Sequence, residues 1–226
     1  MLVLVLACGC LSTRAPSSKA IEFSGFLSDY SKLEKRRKSF GVFSYVKPGL
    51  SLEGYDSLLV EKPKILVSEK SRAELDESDL EAILKHARNM AAEHILPYIQ
   101  IAENSGPGVL QLRWAITELK PASKLNIVSG LVPQIRVASL VLSKGTDTHL
   151  FVGKVSVEGE ILDSQTGEIL IAGVDARVGS NAVQNVGSKW ADVEDAFELW
   201  ARSFTENLRA FGFPINGYSL SCLFDK

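Results

Sequence analysis

Cysteine is scarce in this chain, whose 226 residues include only Cys8, Cys10 and Cys222. These cysteines form no Cys-x-x-Cys pair and no Cys/His grouping of the kind that holds zinc, so a disulfide framework or a structural metal site is not expected. Histidine is equally sparse. His86 and His94 are eight positions apart on one predicted helix, about 12 Å along its axis and too far for one metal, and His149 falls in a predicted loop. We expect no metal and no cofactor.

An excess of charge of one sign and long apolar runs are absent as well. The 25 basic and 27 acidic residues leave a formal net charge of −2, which gives no general attraction to nucleic acid. No apolar run approaches the roughly 20 residues of a membrane-spanning helix. The densest charge run, 34–38, could contact anionic headgroups or glycans, but a solvated loop is the preferred interpretation. Nucleic acid is therefore not an expected partner.

The chain also lacks a recognisable catalytic arrangement. There is no Gly-x-Ser-x-Gly sequence to present a nucleophilic serine, and 106–108 (Gly-Pro-Gly) lacks the lysine and helix of a phosphate loop. Asp163 and Glu168 flank a predicted hairpin turn, with Asp175 on its second strand. They could form a general acid–base pair, but an aspartate that caps its own turn is preferred. The polar stretch 181–188 could bind a ligand, although a linker is preferred. We expect a non-enzymatic protein.

What the chain does have is an apolar beginning, Met1-Leu-Val-Leu-Val-Leu-Ala7, that runs into Cys8-Gly9-Cys10. A short aliphatic run followed by small residues and cysteine is typical of a bacterial lipoprotein signal, in which the cysteine is acylated and becomes the new N-terminus. Cys10 is the preferred lipid carrier and Cys8 the alternative, since a small residue precedes each thiol. No Lys or Arg precedes the apolar run, which indicates a natural precursor that begins further upstream.

This signal sets the expected organisation and location. We predict a signal peptide over 1–9, a flexible tether over 10–20 and one periplasmic domain over 21–226, long enough for a single core. No Asp follows either candidate cysteine, a position where Asp commonly retains lipoproteins in the inner membrane. The expected location is therefore the inner leaflet of the outer membrane. The alternative is a cytosolic protein in which 2–6 form a buried strand.

Two amphipathic helices are predicted. The first begins at a capping box formed by Ser78 and Glu81, continues with apolar residues at helical spacing, and ends near Pro97. The second covers 192–211 and is stopped by Gly212 and Pro214. Its apolar stripe comprises Val193, Ala196, Phe197, Trp200, Phe204, Leu208 and Phe211.

Three parts of the chain have strand patterns. Residues 57–67 predict an edge strand or two short strands around Pro63, 109–119 alternate between apolar and polar, and 153–178 predict a hairpin with its turn at 163–167. Residues 125–142 are apolar without a period and are a candidate interaction surface or covering loop. The predicted fold is α+β, a single domain with a mainly antiparallel sheet of about five to seven strands and two helices on one face.

Several segments in order resemble a known family, the proteobacterial lipoproteins grouped as domain of unknown function 3313. The matching segments are 24–33 (SGFLSDYSKL), 55–60 (YDSLLV), 152–154 (VGK) and 163–168 (DSQTGE). The resemblance implies an envelope lipoprotein, and it brings neither an established activity nor catalytic residues. Segment 24–33 could be a docking surface, but a first strand with a helix cap is preferred.

The expected function follows from the anchor. We expect a lipid-anchored envelope protein whose periplasmic domain binds an envelope protein, a glycan or lipid partner, or a second copy of itself. The alternative is a small-ligand carrier or hydrolase with a site built from dispersed residues. A deep pocket with converging polar groups would favour that alternative, whereas a flat apolar surface would favour assembly.

Overall fold

The computed structural model describes residues 13–16, 21–35, 40–122, 153–179 and 188–216. Within these ranges the chain forms nine strands and three helices. The strands are β1 (Thr13–Arg14), β2 (Glu34–Lys35), β3 (Phe43–Val46), β4 (Ser57–Val60), β5 (Lys64–Ile65), β6 (Gln100–Ile101), β7 (Val109–Lys120), β8 (Lys154–Asp163) and β9 (Ile169–Gly179). The helices are α1 (Glu69–Ala73), α2 (Glu77–His94) and α3 (Ala191–Ala210).

All nine strands belong to one mixed sheet in the order β2-β3-β9-β8-β7-β4-β6, with β1 paired to β9 and β5 paired to β7. The three long strands β7, β8 and β9 form an antiparallel meander at its centre. On the outer side of β7, β4 and β5 run parallel to it and β6 runs parallel to β4. The parallel pair β4–β6 follows from the helical crossover through α2. The predicted α+β fold is confirmed, with a sheet that is mixed.

The strand predictions for 57–67, 109–119 and 153–178 are confirmed. Residues 57–67 form two short strands, β4 and β5, on either side of Pro63. The hairpin of β8 and β9 turns at 163–167, where Gly167 has a φ of 73°, in the left-handed region that favours glycine. Along β7 the alternating apolar residues contribute to the core beneath the helices; they are Leu110, Leu112, Trp114 and Ile116.

The two long helices pack on one face of the sheet, as predicted. In α3, Val193 and Ala196 are completely buried in one core cluster, against which Trp200 is half-buried. Leu208 is completely buried in a second cluster, against which Phe204 is half-buried. The apolar stripe is therefore core. None of the helices among the described residues has the length and apolar character needed to cross a membrane.

The start of α2 differs from the prediction. The helix begins at Glu77 with Asp76 as its N-cap, and the backbone N–H of Asp76 donates to Asp79 Oδ2 at 3.3 Å. The capping box predicted at Ser78 and Glu81 is wrong by two residues. Aspartate can accept hydrogen bonds from the first turn as serine does, and it favours the positive end of the helix dipole.

The second face of the sheet is covered by residues 21–33, here called the latch segment, which is irregular over its whole length. Its Phe26 and Leu27 are buried against Ala115, Ala172 and Val174 of the central strands. The predicted first strand with a helix cap is therefore wrong, because the latch segment bonds to side chains of the sheet instead of joining a ladder. The charge run that follows is also not all loop, since Glu34 and Lys35 form β2.

Several predictions lie outside the described residues. They concern Cys8, Cys10, Cys222, His149, the alternative strand at 2–6, the apolar region 125–142, and most of the charge run 34–38 and of the loop 181–188. Within the predicted tether, Thr13 and Arg14 pair with the end of β9.

Candidate functional site

Two glutamates on β8 form the most unusual polar feature of the described residues. Residues of β8 alternate between the two faces of the sheet, so Val157 and Ile161 contribute to the clusters beneath the helices while Glu158 and Glu160 point to the opposite face. The two glutamates are 0 % and 1 % exposed. Carboxylates are buried this completely only when they are paired or hydrogen-bonded.

The latch segment supplies the partners of Glu158. The backbone N–H of Ser24 donates to Glu158 Oε1 at 2.7 Å, and its hydroxyl donates to Oε2 at 2.9 Å. The Tyr30 hydroxyl donates to the same Oε2. Burial and the neighbouring Glu158 carboxylate together raise the pKa of Tyr30 above its ordinary value. Three donors from one short segment therefore converge on a single carboxylate.

Glu160 is held by the latch segment and by the neighbouring strand. Ser28 donates from its backbone N–H at 3.1 Å and from its hydroxyl at 2.8 Å. Arg113, directly opposite on β7, places its guanidinium 2.8 Å from Glu160 Oε1. The same guanidinium lies over the Phe26 ring, 5.5 Å from its centroid. Arg113 thus contacts both the carboxylate and the ring that covers it.

This arrangement is suited to holding the chain together. An ionised carboxylate only accepts hydrogen bonds, and the described donors surround both glutamates where solvent does not reach them. The resulting contacts join Ser24 and Ser28 to residues more than 130 positions away in sequence. We therefore assign Glu158 and Glu160 a structural role, in which they fasten the latch segment across the sheet.

A groove between β5, α1 and α2 has a volume of about 780 Å³. Its apolar part comes from Ile65, Val67, Leu80 and Leu84. Its charged part comes from Glu69, Arg72, Glu77 and Glu81. The groove could hold a small amphipathic ligand. Glu158 and Glu160 are not among the residues that line it.

The carboxylates of the hairpin turn have structural partners, as the turn interpretation predicts. Asp163 accepts hydrogen bonds from the backbone N–H groups of Gln165 and Thr166 at 3.0 and 2.7 Å, and from the Tyr55 hydroxyl at 2.8 Å. The bond from the Thr166 backbone is the largest of the effects that hold the pKa of Asp163 below its usual range. Glu168 pairs with Lys47 at 2.7 Å.

Asp175 does not join those two residues in one site. It lies opposite Val157 in the middle of the β8–β9 ladder, about 20 Å along the strand from the turn. Its Oδ2 accepts hydrogen bonds from Trp200 Nε1 at 2.6 Å and from Arg177 Nε at 3.0 Å. Its Oδ1 is buried without a hydrogen-bond partner. The acid–base interpretation of the three carboxylates therefore has no geometric support.

The histidines of α2 take part in helix contacts. His86 Nε2 lies 3.2 Å from the carbonyl oxygen of Glu194 on α3. His94 Nε2 lies 3.7 Å from Glu93, and its carbonyl accepts a hydrogen bond from the Thr205 hydroxyl at 3.0 Å. Across the described ranges, no group of three or more His, Cys, Asp or Glu side chains could hold a metal ion.

The starts of α2 and α3 are joined through Asp79. Lys189 Nζ lies 2.8 Å from Asp79 Oδ2, and Trp190 Nε1 donates to Oδ1 at 3.0 Å. Burial alone would raise the pKa of Asp79, but these two hydrogen bonds, the Asp76 backbone N–H and the charge of Lys189 together outweigh it, and the pKa lies below its ordinary value. Nearby, Asp192 accepts a hydrogen bond from the Gly153 backbone at 2.8 Å.

Comparison with protein-family models gives a match over residues 22–204 to the family described as Protein of unknown function (DUF3313). The match covers most of the chain. The chain belongs to this family. The expected resemblance to domain of unknown function 3313 is thereby confirmed, and residues 22–33 of the latch segment and both buried glutamates lie within the matched region.

Comparison with curated proteins finds no match. Among solved structures, a single-substitution PelC dodecamer from Paraburkholderia phytofirmans in space group C2 is 14% identical, with 70% of this chain and 93% of that chain covered and a TM-score of 0.38. A PelC dodecamer from the same organism in space group P6 is 13% identical, with 70% and 92% covered and a TM-score of 0.38. At a TM-score of 0.38, neither structure supports a conclusion about the fold or the function of this DUF3313 protein.

Sequence reasoning missed the central residues of the site, namely Glu158, Glu160, Arg113, Ser24 and Ser28. Glutamate at alternate positions of a strand predicts that one face of the hairpin is exposed to solvent, because the pattern does not reveal what covers that face. The only signal was indirect. The segment that carries the family resemblance, 24–33, is the one that supplies the donors.

Proposed function

We propose that this chain is an envelope lipoprotein, anchored in the outer membrane by lipid on Cys10 or Cys8, with a non-catalytic periplasmic domain that acts in partner binding or assembly. The observation that carries the proposal is the apolar run 2–6 followed by Ala7-Cys8-Gly9-Cys10. Lipid chains on such a cysteine hold a domain at a bilayer without a spanning helix.

The connection between these cysteines and the sheet is short. Only two residues separate Cys10 from Thr13, which pairs with Gly179 at the end of β9. Further along, the latch segment is fastened across the sheet by Glu158 and Glu160. A domain joined in this way would be held close to the membrane surface.

Metabolic labelling with a palmitate analogue in the native host tests the anchor. We expect label in the wild-type chain and in Cys222→Ser, and loss of label when the modified cysteine is replaced. Comparison of Cys10→Ser with Cys8→Ser identifies which cysteine carries the lipid. Equal labelling of the wild-type chain and the Cys8→Ser/Cys10→Ser double variant would contradict the proposal.

The outer edge of the sheet supports a role in partner binding. Val60 on β4, Ile101 on β6 and Leu96 between α2 and β6 are each more than two-fifths exposed. Because β4 and β6 are adjacent, Val60 and Ile101 lie on neighbouring strands, and β6 is the last strand on this side of the sheet among the described residues. Exposed apolar side chains on the outer strands of a sheet favour contact with another protein.

Crosslinking in intact cells tests this surface. We expect the double variant Val60→Lys/Ile101→Lys to lose the crosslinked species formed by the wild-type chain, since lysine on an edge disfavours association. Ala92→Lys, an exposed change on α2, is the matched control and should retain them. Unchanged crosslinks in the double variant would exclude this edge as the contact.

The groove beside α1 favours a second candidate function, the carriage of a small amphipathic ligand. Binding of an apolar fluorescent dye tests it. Ala73→Trp should fill the groove and abolish dye binding, while Ala92→Trp, on an exposed part of α2, should leave it unchanged. Equal dye binding by the two variants would remove the groove from consideration.

A further inference from the structure

The central sheet has two different ends. At one end lie the last residue of β7, Lys120, the first of β8, Lys154, and the last of β9, Gly179; this is called the tether end because β1 pairs there. At the other end β8 and β9 are joined by the turn 163–167, and this is called the hairpin end. The ten residues of β8 separate the two ends by about 33 Å.

The chain between the candidate cysteines and β1 is too short to reach the hairpin end. Cys10 is three positions before Thr13, and a fully extended chain of that length spans at most about 11 Å. From Cys8 the limit is about 18 Å. As long as Thr13 and Arg14 stay paired with Gly179 and Val178, a lipidated cysteine remains near the tether end.

Local contacts make the tether end a firm point of attachment. The Gly179 N–H donates to the Gly153 carbonyl at 2.9 Å, and the Gly153 N–H donates to the buried carboxylate of Asp192 on α3 at 2.8 Å. The same end carries two lysines, Lys120 and Lys154, that share the single carboxylate of Glu118 at 2.8 and 2.5 Å. Lys120, whose side chain is about half exposed, places a cationic group at this end, which is favourable beside anionic headgroups.

We infer that the domain stands end-on at the bilayer, with the tether end against the lipid headgroups and the hairpin end projecting away from the membrane. The inference rests on the proposed lipidation of Cys10 or Cys8. It identifies a phospholipid surface as the partner of the tether end. In this orientation Val60 and Ile101 lie at the side of the molecule, where other proteins in the plane of the membrane can reach them.

Contact quenching on the full lipidated chain tests the orientation. An environment-sensitive fluorophore is placed at Lys120→Cys or at Gln165→Cys in a background without Cys222, and the protein is incorporated into phosphatidylethanolamine/phosphatidylglycerol vesicles that contain a headgroup-spin-labelled lipid. If the mature chain begins at Cys8, the background also carries Cys10→Ser. We expect strong quenching at position 120 and none at position 165.

Two further positions separate an end-on from a flat orientation. Arg88→Cys reports on the exposed face of α2, and Lys32→Cys reports on the face covered by the latch segment. Quenching at either position equal to that at position 120 would overturn the inference, as would stronger quenching at position 165. Intact mass of the same samples separates the two failures. A triacylated protein with no quenching at position 120 overturns the orientation alone, whereas an unmodified protein overturns the anchor on which it rests.

A longer tether provides a matched control. Twenty Gly/Ser residues inserted between Ser12 and Thr13 have an r.m.s. span of about 25 Å. This insertion leaves the folded domain and the anchor unchanged while removing the distance limit. We expect it to abolish most of the quenching at position 120, and quenching that persists undiminished would contradict a tether-imposed orientation.

Discussion

Glu158 and Glu160 place two carboxylates in a part of the sheet where solvent does not reach. Burial of an ionised carboxylate is costly unless donors replace the lost water. Here the donors come mainly from a segment that has no regular structure of its own, through Ser24, Ser28 and Tyr30. The carboxylates and the latch segment therefore depend on each other, since the latch segment supplies every described donor to Glu158 and two of the donors to Glu160.

The first prediction concerns Glu158→Gln. The amide keeps the size of the side chain but presents an NH₂ group to donors that need an acceptor, and we expect a loss of about 2 kcal/mol in the free energy of unfolding. Glu168→Gln is the matched control. Glu168 is exposed and paired only at the surface, so its replacement should change the free energy by less than about 0.5 kcal/mol.

Urea denaturation measures both variants. Equal stability of Glu158→Gln and Glu168→Gln would show that the buried carboxylate does not fasten the latch segment. Limited proteolysis adds a local readout, because loosening of residues 21–33 should make them susceptible in Glu158→Gln before the rest of the domain.

The second prediction concerns the alkaline limit of stability. Burial first, and then the adjacent carboxylate of Asp163, raise the pKa of Tyr55 from 10.0 to about 12. A group whose pKa is higher in the folded state contributes stability that is complete below its unfolded pKa and is lost as the pH rises through its folded pKa. We therefore expect stability to fall between pH 10.0 and about 12.

Tyr55→Phe isolates this contribution. The variant cannot ionise at this position, so its stability should fall less steeply over that pH interval, while part of the fall remains because the pKa of Tyr30 is also raised. Chemical denaturation across the alkaline range gives the measurement. A slope identical to that of the wild-type chain would contradict a role for the Tyr55–Asp163 hydrogen bond.

At the scale of elements, α3 is positioned at its start by a close approach to the sheet. A Cβ atom at Gly179 would lie 2.1 Å from Asp192 Oδ2, and one at Gly153 would lie 3.0 Å from the Asp192 Cβ. Only residues without a side chain allow the helix to begin so near the ends of β8 and β9. The same end of the sheet pairs with β1.

The third prediction is that Gly179→Ala displaces Asp192 and destabilises the domain by about 1–3 kcal/mol, the usual cost of overpacking. Gly54→Ala is the control, because a Cβ at Gly54 would meet nothing within 4 Å. Thermal and urea unfolding compare the two variants. A Gly179→Ala protein as stable as Gly54→Ala would show that α3 can shift without cost.

The elements predicted correctly from the sequence are those whose signals are local. The apolar stripe of α3 has the helical period, β7 alternates, and Asp163 with Gly167 specifies the hairpin turn by hydrogen bonding and a positive φ. The confirmed division of 57–67 into β4 and β5 has an equally local cause, because Pro63 cannot donate to a ladder.

The features that sequence reasoning missed depend on distant partners. Ser24 of the latch segment donates to Glu158, 134 positions later in the sequence, and no local sequence pattern predicts such a contact. The parallel pairing of β4 with β7 is likewise set by the crossover through α2. Even the α2 cap was misplaced, since Asp76 and Ser78 are both acceptable N-cap residues and tertiary contacts of Asp79 favour the earlier start.

At the scale of the whole molecule, one sheet is covered on both faces by different means. The helices α2 and α3 bury one face with apolar side chains, while the latch segment covers the other with a mixture of apolar contacts and buried charge. The long strands then give the domain a tether end and a hairpin end. The proposed membrane anchor would use this asymmetry, because β1, which follows the candidate cysteines, pairs with the sheet at the tether end.

The measurement that tests the central proposal most directly is the intact mass of the protein extracted from membranes of its host, with and without an inhibitor of lipoprotein signal peptidase. We expect a mature chain that begins at Cys10 or Cys8 and carries a triacyl increment, and we expect the inhibitor to prevent its formation. An unmodified full-length chain in the soluble fraction would contradict the lipid anchor, and with it the proposed function and the orientation at the bilayer.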